Sequence, residues 1–177
     1  MANYCEFTMK ITGRRENVNE LIDMMKWQGK YQDNGLGRIY DCWVEDAEKF
    51  DETFVSVYAN GNCAWSVLTA MRSYNGRHPS LESETERLGL VVELYSSEPG
   101  MCFQEHCMID KGEVVFEECI DYEEHCVEEF DTVQEYNEEY GTNFTEDMVQ
   151  DGYVYIGGYG DQYGQFKKIE IENLKGE

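Results

Sequence analysis

Between Gly112 and Phe166 the chain has no lysine and no arginine, while sixteen aspartates and glutamates fall in the same interval. The basic residues stop at Lys111 and resume at Lys167, so the formal charge is −7 up to Lys111 and −16 beyond it, out of −23 in all. An excess of one sign bears on partners and solubility rather than on fold. It repels nucleic acid and acidic membranes and attracts proteins that themselves hold phosphates. The same charge also serves a solvated acidic face with no partner.

Other absences narrow the class. Two prolines in 177 residues leave no room for a Pro-rich linker. No stretch approaches the roughly 18 apolar residues of a membrane span. The opening Met1–Glu6 has no basic region followed by an apolar one, so no export signal is expected and the cytosol is the expected compartment. The seven cysteines are odd in number and form no C-x-x-C pair, which points to reduced thiols acting as small apolar residues. Gly157-Gly158-Tyr159-Gly160 lacks the lysine and the strand-to-helix setting of a phosphate loop.

What is present argues for a folded body. Hydrophobic residues make up 41% and aromatics 14% of the chain, too rich for a disordered acidic tail. The length suits one full core, or one domain with a small appendage. Asn3 to Thr12 alternates, with Cys5, Phe7, Met9 and Ile11 on one side, as a half-buried strand does. Val18, Leu21, Ile22 and Met25 follow at helical spacing. A Gly-rich segment around Asn34, Gly35 and Gly37 ends that unit. Arg38–Val44 and Thr53–Ala59 read as strands, separated by an acidic turn over Glu45–Glu52, and Asn60-Gly61-Asn62 reads as a turn. A helix is expected from Ala64, with Trp65 and Leu68 along one side and Ser66 as a cap. It is interrupted at Asn75-Gly76, and a second piece is capped by Ser80 and closed by Gly89. Leu90–Tyr95 is apolar enough for a central strand.

The order β-α-β-β-α-β predicts an α+β protein with a ferredoxin-like core. Met101–Ile109 and Glu113–Tyr122, joined across Lys111-Gly112, predict an added hairpin in which Ile109 faces Val114, Cys107 faces Phe116 and Phe103 faces Ile120. Val127–Tyr140 predicts an acidic C-terminal helix with Phe130, Val133 and Tyr140 inward. Phe166–Ile171 is expected to close as a short strand. The division expected is a ferredoxin-like unit with its hairpin over 1–122, and an acidic helix and Tyr/Gly-rich tail over 123–177, packed on the same domain.

Three groups of residues carry chemistry. Glu-His-Cys occurs twice, at Glu105–Cys107 and Glu124–Cys126, so Cys102, His106, Cys119 and His125 can be drawn as four zinc ligands. Their spacing matches no zinc module and strands send alternate residues to opposite faces, so packing is the expectation and no metal or cofactor is assigned. The hairpin register sets Glu105 opposite Glu118, a carboxylate pair that could do acid/base work; register slippage or solvation accounts for it more simply, and no enzyme is inferred. His78 beside Pro79 has no neighbouring nucleophile. The third group is the acidic one: Glu117, Asp121, Glu123, Glu124, Glu128, Glu129, Asp131, Glu135, Glu138 and Glu139, with Tyr122 and Tyr136 interleaved. Tyrosine gives large contact area at low entropic cost, and carboxylates pair with arginine bidentately.

The segments MANYCEF at the start, Asn62–Ser66 (NCAWS) and Ser97–Phe103 (SEPGMCF), with the Asp110–Glu113 turn, resemble the YubB-like ferredoxin-like family of phage and plasmid accessory proteins over roughly residues 1–122. The acidic helix and the Tyr/Gly tail stand where that family has a longer insertion. The resemblance implies a mobile-element origin, the cytosol of a bacterial host and a counter-defence role. Together with the charge, it makes the leading expectation a non-enzymatic, anti-CRISPR-like inhibitor. Its acidic residues would occupy the nucleic-acid site of a basic host protein, a CRISPR effector or another defence nuclease, by charge mimicry. The alternatives are a ferredoxin-like module binding a small ligand or protein, with charge for solubility only, and a hydrolase or metal protein built on Glu105, Glu118 and the His/Cys positions. The sequence leaves open whether two copies pair.

Overall fold

Alternation decides the first strand: in the computed structural model β1 (Tyr4–Arg14) buries Cys5, Phe7, Met9 and Ile11, the side the sequence marks as inward. The structure describes residues 4–26, 36, 38–72, 79–171 and 174, so the expected Gly-rich break at Asn34, Gly35 and Gly37, the interruption at Asn75-Gly76 and the expectation for His78 lie outside the described residues. α1 (Arg15–Met25) follows without a loop, and its apolar stripe Val18, Leu21, Ile22 and Met25 enters the same core. β2 (Ile39–Lys49) and β3 (Phe54–Ala64) form a hairpin in which both strands outrun the sequence reading. The acidic stretch from Glu45 supplies the end of β2 instead of a turn, and Asn60-Gly61-Asn62 lies inside β3. Gly61 serves close packing there: a methyl group at this position would collide with the Phe7 ring and the Asp41 carbonyl.

Ala64 ends β3, so the expected helix begins later, as α2 (Val67–Met71), with the Ser66 hydroxyl accepting the Thr69 N–H at 3.0 Å. Trp65 sits in the left-handed region at φ 69° and is half exposed instead of lining a helix. Ser80 and Ser83 cap each other's backbone at the start of α3 (Leu81–Leu88), and Gly89 closes it at φ 62°. β4 (Val91–Glu98), β5 (Phe103–Asp110), β6 (Glu113–Cys126), α4 (Val133–Tyr140), β7 (Val149–Gln150) and β8 (Tyr153–Gly157) complete the chain. Phe166–Ile171 forms no strand.

The fold class expected from the sequence is corrected by the sheet. The element order through β4 is found, but no separate ferredoxin-like core exists. All eight strands make one antiparallel, curled sheet in the order β2-β3-β1-β4-β5-β6-β8-β7. β5 pairs with β4 along its whole length, and β6 runs fourteen residues, first along β5 and then along β8. A continuous ladder leaves no edge at which a front domain could end. Bulges in the β2–β3 and β5–β6 ladders add local twist of the kind that curls a sheet.

α1, α2 and α3 cover one face of β1, β3, β4 and β5 and build the main core. A second, smaller core lies at the far end, where Val127, Tyr136 and Val154 pack with Phe130, Phe144 and Val149. α4 has eight residues and begins six residues after the expected start at Val127. The N–H groups of Val127 and Glu128 bond the Gly152 carbonyl in the β7–β8 turn, and the helix starts only where Thr132 accepts the Glu135 N–H. Among the described residues no helix is long and apolar enough to cross a membrane.

The hairpin register is also corrected. Ile109 faces Val114 as expected, but the ladder shifts there and Met108 faces Phe116, leaving Val115 as an extra residue. Beyond the bulge Cys107 opposes Glu117, Phe103 opposes Asp121 and Glu105 opposes Cys119, so the Glu105–Glu118 pair does not form. Glu105 is buried on the helical face, where its Oε2 accepts from Val67 N–H at 2.8 Å and Ser96 Oγ–H at 2.7 Å. It ties the first residue of α2 to the sheet. Replacing a carboxylate that satisfies two buried donors strands both, so Glu105→Ala should lower stability by about 2–4 kcal/mol. The urea midpoint should fall at an unchanged slope; a midpoint within error of the wild type would exclude this anchoring.

Candidate functional site: an acidic rear lobe and a tyrosine-lined cavity

The face of the sheet away from the helices is polar and aromatic by alternation: Thr8, Lys10 and Thr12 on β1, Glu93 and Tyr95 on β4, His106 on β5. Left to water, a surface of this kind would need no cover, yet Lys10, Glu93, Tyr95 and His106 are all buried. The chain after β8 lies over them as a strap. Glu93 accepts the Lys167 N–H at 2.6 Å through one oxygen and lies 2.9 Å from His106 Nε2 through the other. Lys10 Nζ donates to the Lys167 carbonyl at 3.4 Å, and Gln104 Oε1 accepts the Tyr159 N–H at 2.7 Å. Tyr95 stacks on His106 at 4.0 Å, and Tyr159, Tyr163 and Phe166 pack around it.

β6 carries the sequence's acidic candidates out of this region, and its alternation divides them. Glu117, Asp121 and Glu123 point to the side that the helices occupy, and Tyr122 and Glu124 to the strap side. Glu117 is taken by Arg72, which also bonds Glu82 at 2.5 Å. Glu123 lies 3.3 Å from His125 Nε2, and the other nitrogen of that ring lies 3.0 Å from the Tyr136 hydroxyl. α4 therefore covers the Glu123 side. Around it stand exposed Glu128, Glu129 and Asp131 in the loop before the helix, and Glu135, Glu138 and Glu139 on the helix itself. Glu138 accepts from Gln134 Nε2 at 2.9 Å. The single patch drawn from the sequence is thus two surfaces.

The tyrosines exchange roles. Tyr136 is 6% exposed in the second core, where burial pushes its phenol pKa up, so it is not a partner contact. Tyr140, expected inward, is 61% exposed and packs its ring against Tyr136 with centroids 4.6 Å apart. The helix starts at Thr132, a start that the Thr132-x-x-Glu135 spacing marks in the sequence and that the longer reading over Val127–Tyr140 did not use.

The strap-side pair lines a half-open cavity of about 450 Å³ together with Glu6, Ser97, Gln104, Tyr155 and Asp161. Tyr122 and Tyr155 have ring centroids 6.2 Å apart at 57°. Burial raises the Tyr122 phenol, with nearby Ser97 acting the other way, and burial with the neighbouring Glu124 carboxylate raises that of Tyr155. The cavity, Glu6 and Asp161 were not legible in the sequence, because they meet only through the β6–β8 ladder and the strap. The four positions drawn as zinc ligands are separated: His106 lies under the strap, Cys119 on the opposite side of the sheet, His125 in the second core and Cys102 in the β4–β5 turn. Among the described residues no three His, Cys, Asp or Glu side chains gather for a metal ion.

Two outcomes follow from the strap. In Glu93→Gln the Lys167 amide should exchange with solvent deuterium about ten-fold faster, since a charge-assisted acceptor is lost. The Tyr159 amide, held by Gln104, should keep its protection; equal protection at Lys167 in both proteins would mean that Glu93 does not hold the strap. The Tyr159 and Tyr163 phenols are both raised well above the ordinary value, mainly by burial, with Glu118 adding to the first. A raised folded-state pKa gives stability that is complete below the unfolded phenol value of about 10 and is lost as pH rises beyond it. Urea midpoints should therefore fall steeply above about pH 10, and less steeply in Tyr159→Phe and Tyr163→Phe; parallel declines would refute the assignment.

No protein-family model, no curated protein and no solved structure matches this chain, so the resemblance to the YubB-like family rests on its short motifs alone.

Proposed function

We propose that the protein is a non-enzymatic binding protein whose rear lobe docks on the cationic, nucleic-acid-binding surface of another protein. The observation that carries this reading is α4. Its last turn holds Glu138 and Glu139 and no basic residue, with Glu135 one turn earlier on the same side. Carboxylates at a helix C-terminus oppose the macrodipole at a cost of about 0.3–1 kcal/mol, and Glu135 and Glu139 at i, i+4 repel each other at about 0.2–0.5 kcal/mol. A local rule broken in the exposed last turn of a helix, offset only in part by the Gln134–Glu138 hydrogen bond, is the pattern of a surface kept for binding. The absence of lysine and arginine between 112 and 166 removes the nearest source of neutralisation.

The docking residues on this reading are Glu128, Glu129, Asp131, Glu135, Glu138 and Glu139, with Asp121 and Glu123 beside them and Tyr140 as the aromatic contact. Tyr122 and Glu124 belong to the other surface. An RNA-guided nuclease presents a cationic channel of the required kind, and restriction enzymes present another. The anti-CRISPR-like role is the specific form of this proposal.

Reversal of Glu128, Glu129, Glu138 and Glu139 to lysine separates binding from folding, because the two should move in opposite directions. Lysine in the last turn favours the dipole, so thermal stability should hold or rise slightly. Binding to a basic partner captured from bacterial lysate should be lost, and wild-type binding should weaken steeply with salt and yield to added duplex DNA. A partner that stays bound to the reversed variant, or that duplex DNA does not displace, would reject the reading.

A further inference from the structure

We propose that the strap-side cavity is a binding site for a guanidinium cation, with Glu6, Glu124 and Asp161 supplying charge and Tyr122 and Tyr155 supplying ring faces. The volume of about 450 Å³ falls within the roughly 300–1,000 Å³ of small-ligand sites. Its lining has three carboxylates and no lysine, arginine or histidine, so an occupant carrying negative charge is disfavoured. The carboxylates surround the space without converging: among the described residues no three acidic, His or Cys side chains are close enough to share a metal ion. That arrangement fits a charge spread over a plane with donors pointing outward, which is the guanidinium with its five N–H groups, better than a compact ion. The two tyrosine rings stand as adjoining walls, 6.2 Å between centroids and 57° apart, and ring faces attract such a cation.

The far wall is set in advance. Gly157, Gly158 and Gly160 all have positive φ, between 50° and 88°, so the chain turns sharply from β8 into the strap. A side chain at Gly158 would collide with Gln104, whose Oε1 holds the Tyr159 N–H and so fixes this turn against β5. A wall held before the ligand arrives reduces the ordering cost of binding. None of the five ligand-facing residues belongs to the docking surface around α4, so this inference stands or falls independently of that one. The guanidinium can come from a free small molecule or from an arginine side chain of a protein.

Titration of the full-length protein with agmatine, and separately with an end-capped Gly-Arg-Gly peptide, tests the site by the NMR shifts of Tyr122 and Tyr155. Saturable shifts with agmatine indicate a small-molecule site, and saturable shifts with the peptide alone indicate a side-chain receptor; either result supports the inference. Glu124→Gln and Tyr155→Leu, at exposed positions outside both cores, should each weaken binding by about ten-fold. Glu138→Gln with Glu139→Gln should leave it unchanged. No saturable shift with either probe at low salt would overturn the proposal. So would 1,4-diaminobutane, which carries the same charge without the guanidinium, binding as tightly as agmatine, or Glu124→Gln and Tyr155→Leu binding as well as the wild type.

Discussion

One extra residue in β6 governs which chemistry this protein presents on which side. Side chains alternate along a strand with a period of two, so the bulge at Val115 exchanges the two faces of everything that follows it. Because of it, Phe116 meets His106 under the strap at 4.7 Å instead of joining Cys107 in the main core. Because of it, too, Tyr122 and Glu124 open onto the cavity while Asp121 and Glu123 turn toward α4. Without the bulge the acidic strand would present the opposite set on each face.

The two buried carboxylates of the central sheet show how the same residue type is used structurally. Glu105 satisfies the first backbone N–H of α2 and a serine hydroxyl on the helical face; Glu93, two strand faces away, satisfies the strap's main chain and a histidine. Each has two donors within hydrogen-bonding distance, which is the condition under which burying such a group is tolerable. Glu105 and Glu118, considered as an acid/base pair, are instead an anchor and a surface residue whose carboxylate receives the Tyr159 hydroxyl at 3.3 Å.

Charge in the rear lobe is distributed by a different logic. The second core is small, and α4 stays on it through aromatic contacts among Phe130, Tyr136, Phe144 and His125. Glu138 and Glu139 in its last turn make no comparable contribution to holding it and work against its dipole, while Glu135 in the first turn works with it. Packing and charge are thus separated onto opposite sides of one short helix. The strap side separates them again, with aromatic and buried polar contacts at the centre of the sheet and carboxylates gathered at the cavity.

Local patterns were enough to place β1, α1, the caps at Ser66, Ser80 and Gly89, and the turn at Lys111-Gly112, because alternation, helical spacing and capping act over a few neighbouring residues. The net charge and its concentration beyond Lys111 were equally plain. Long-range pairing decided the rest. That β4 continues into β5, β6 and β8 as one ladder, that Asn60-Gly61-Asn62 runs straight so that Gly61 can lie against Phe7, and that Val127 bonds Gly152 in place of starting a helix all depend on partners far away in the chain. The cavity belongs to the same class: Glu6, Glu124 and Asp161 are neighbours only because the sheet and the strap bring three distant segments together, a distance no periodicity in the sequence can encode.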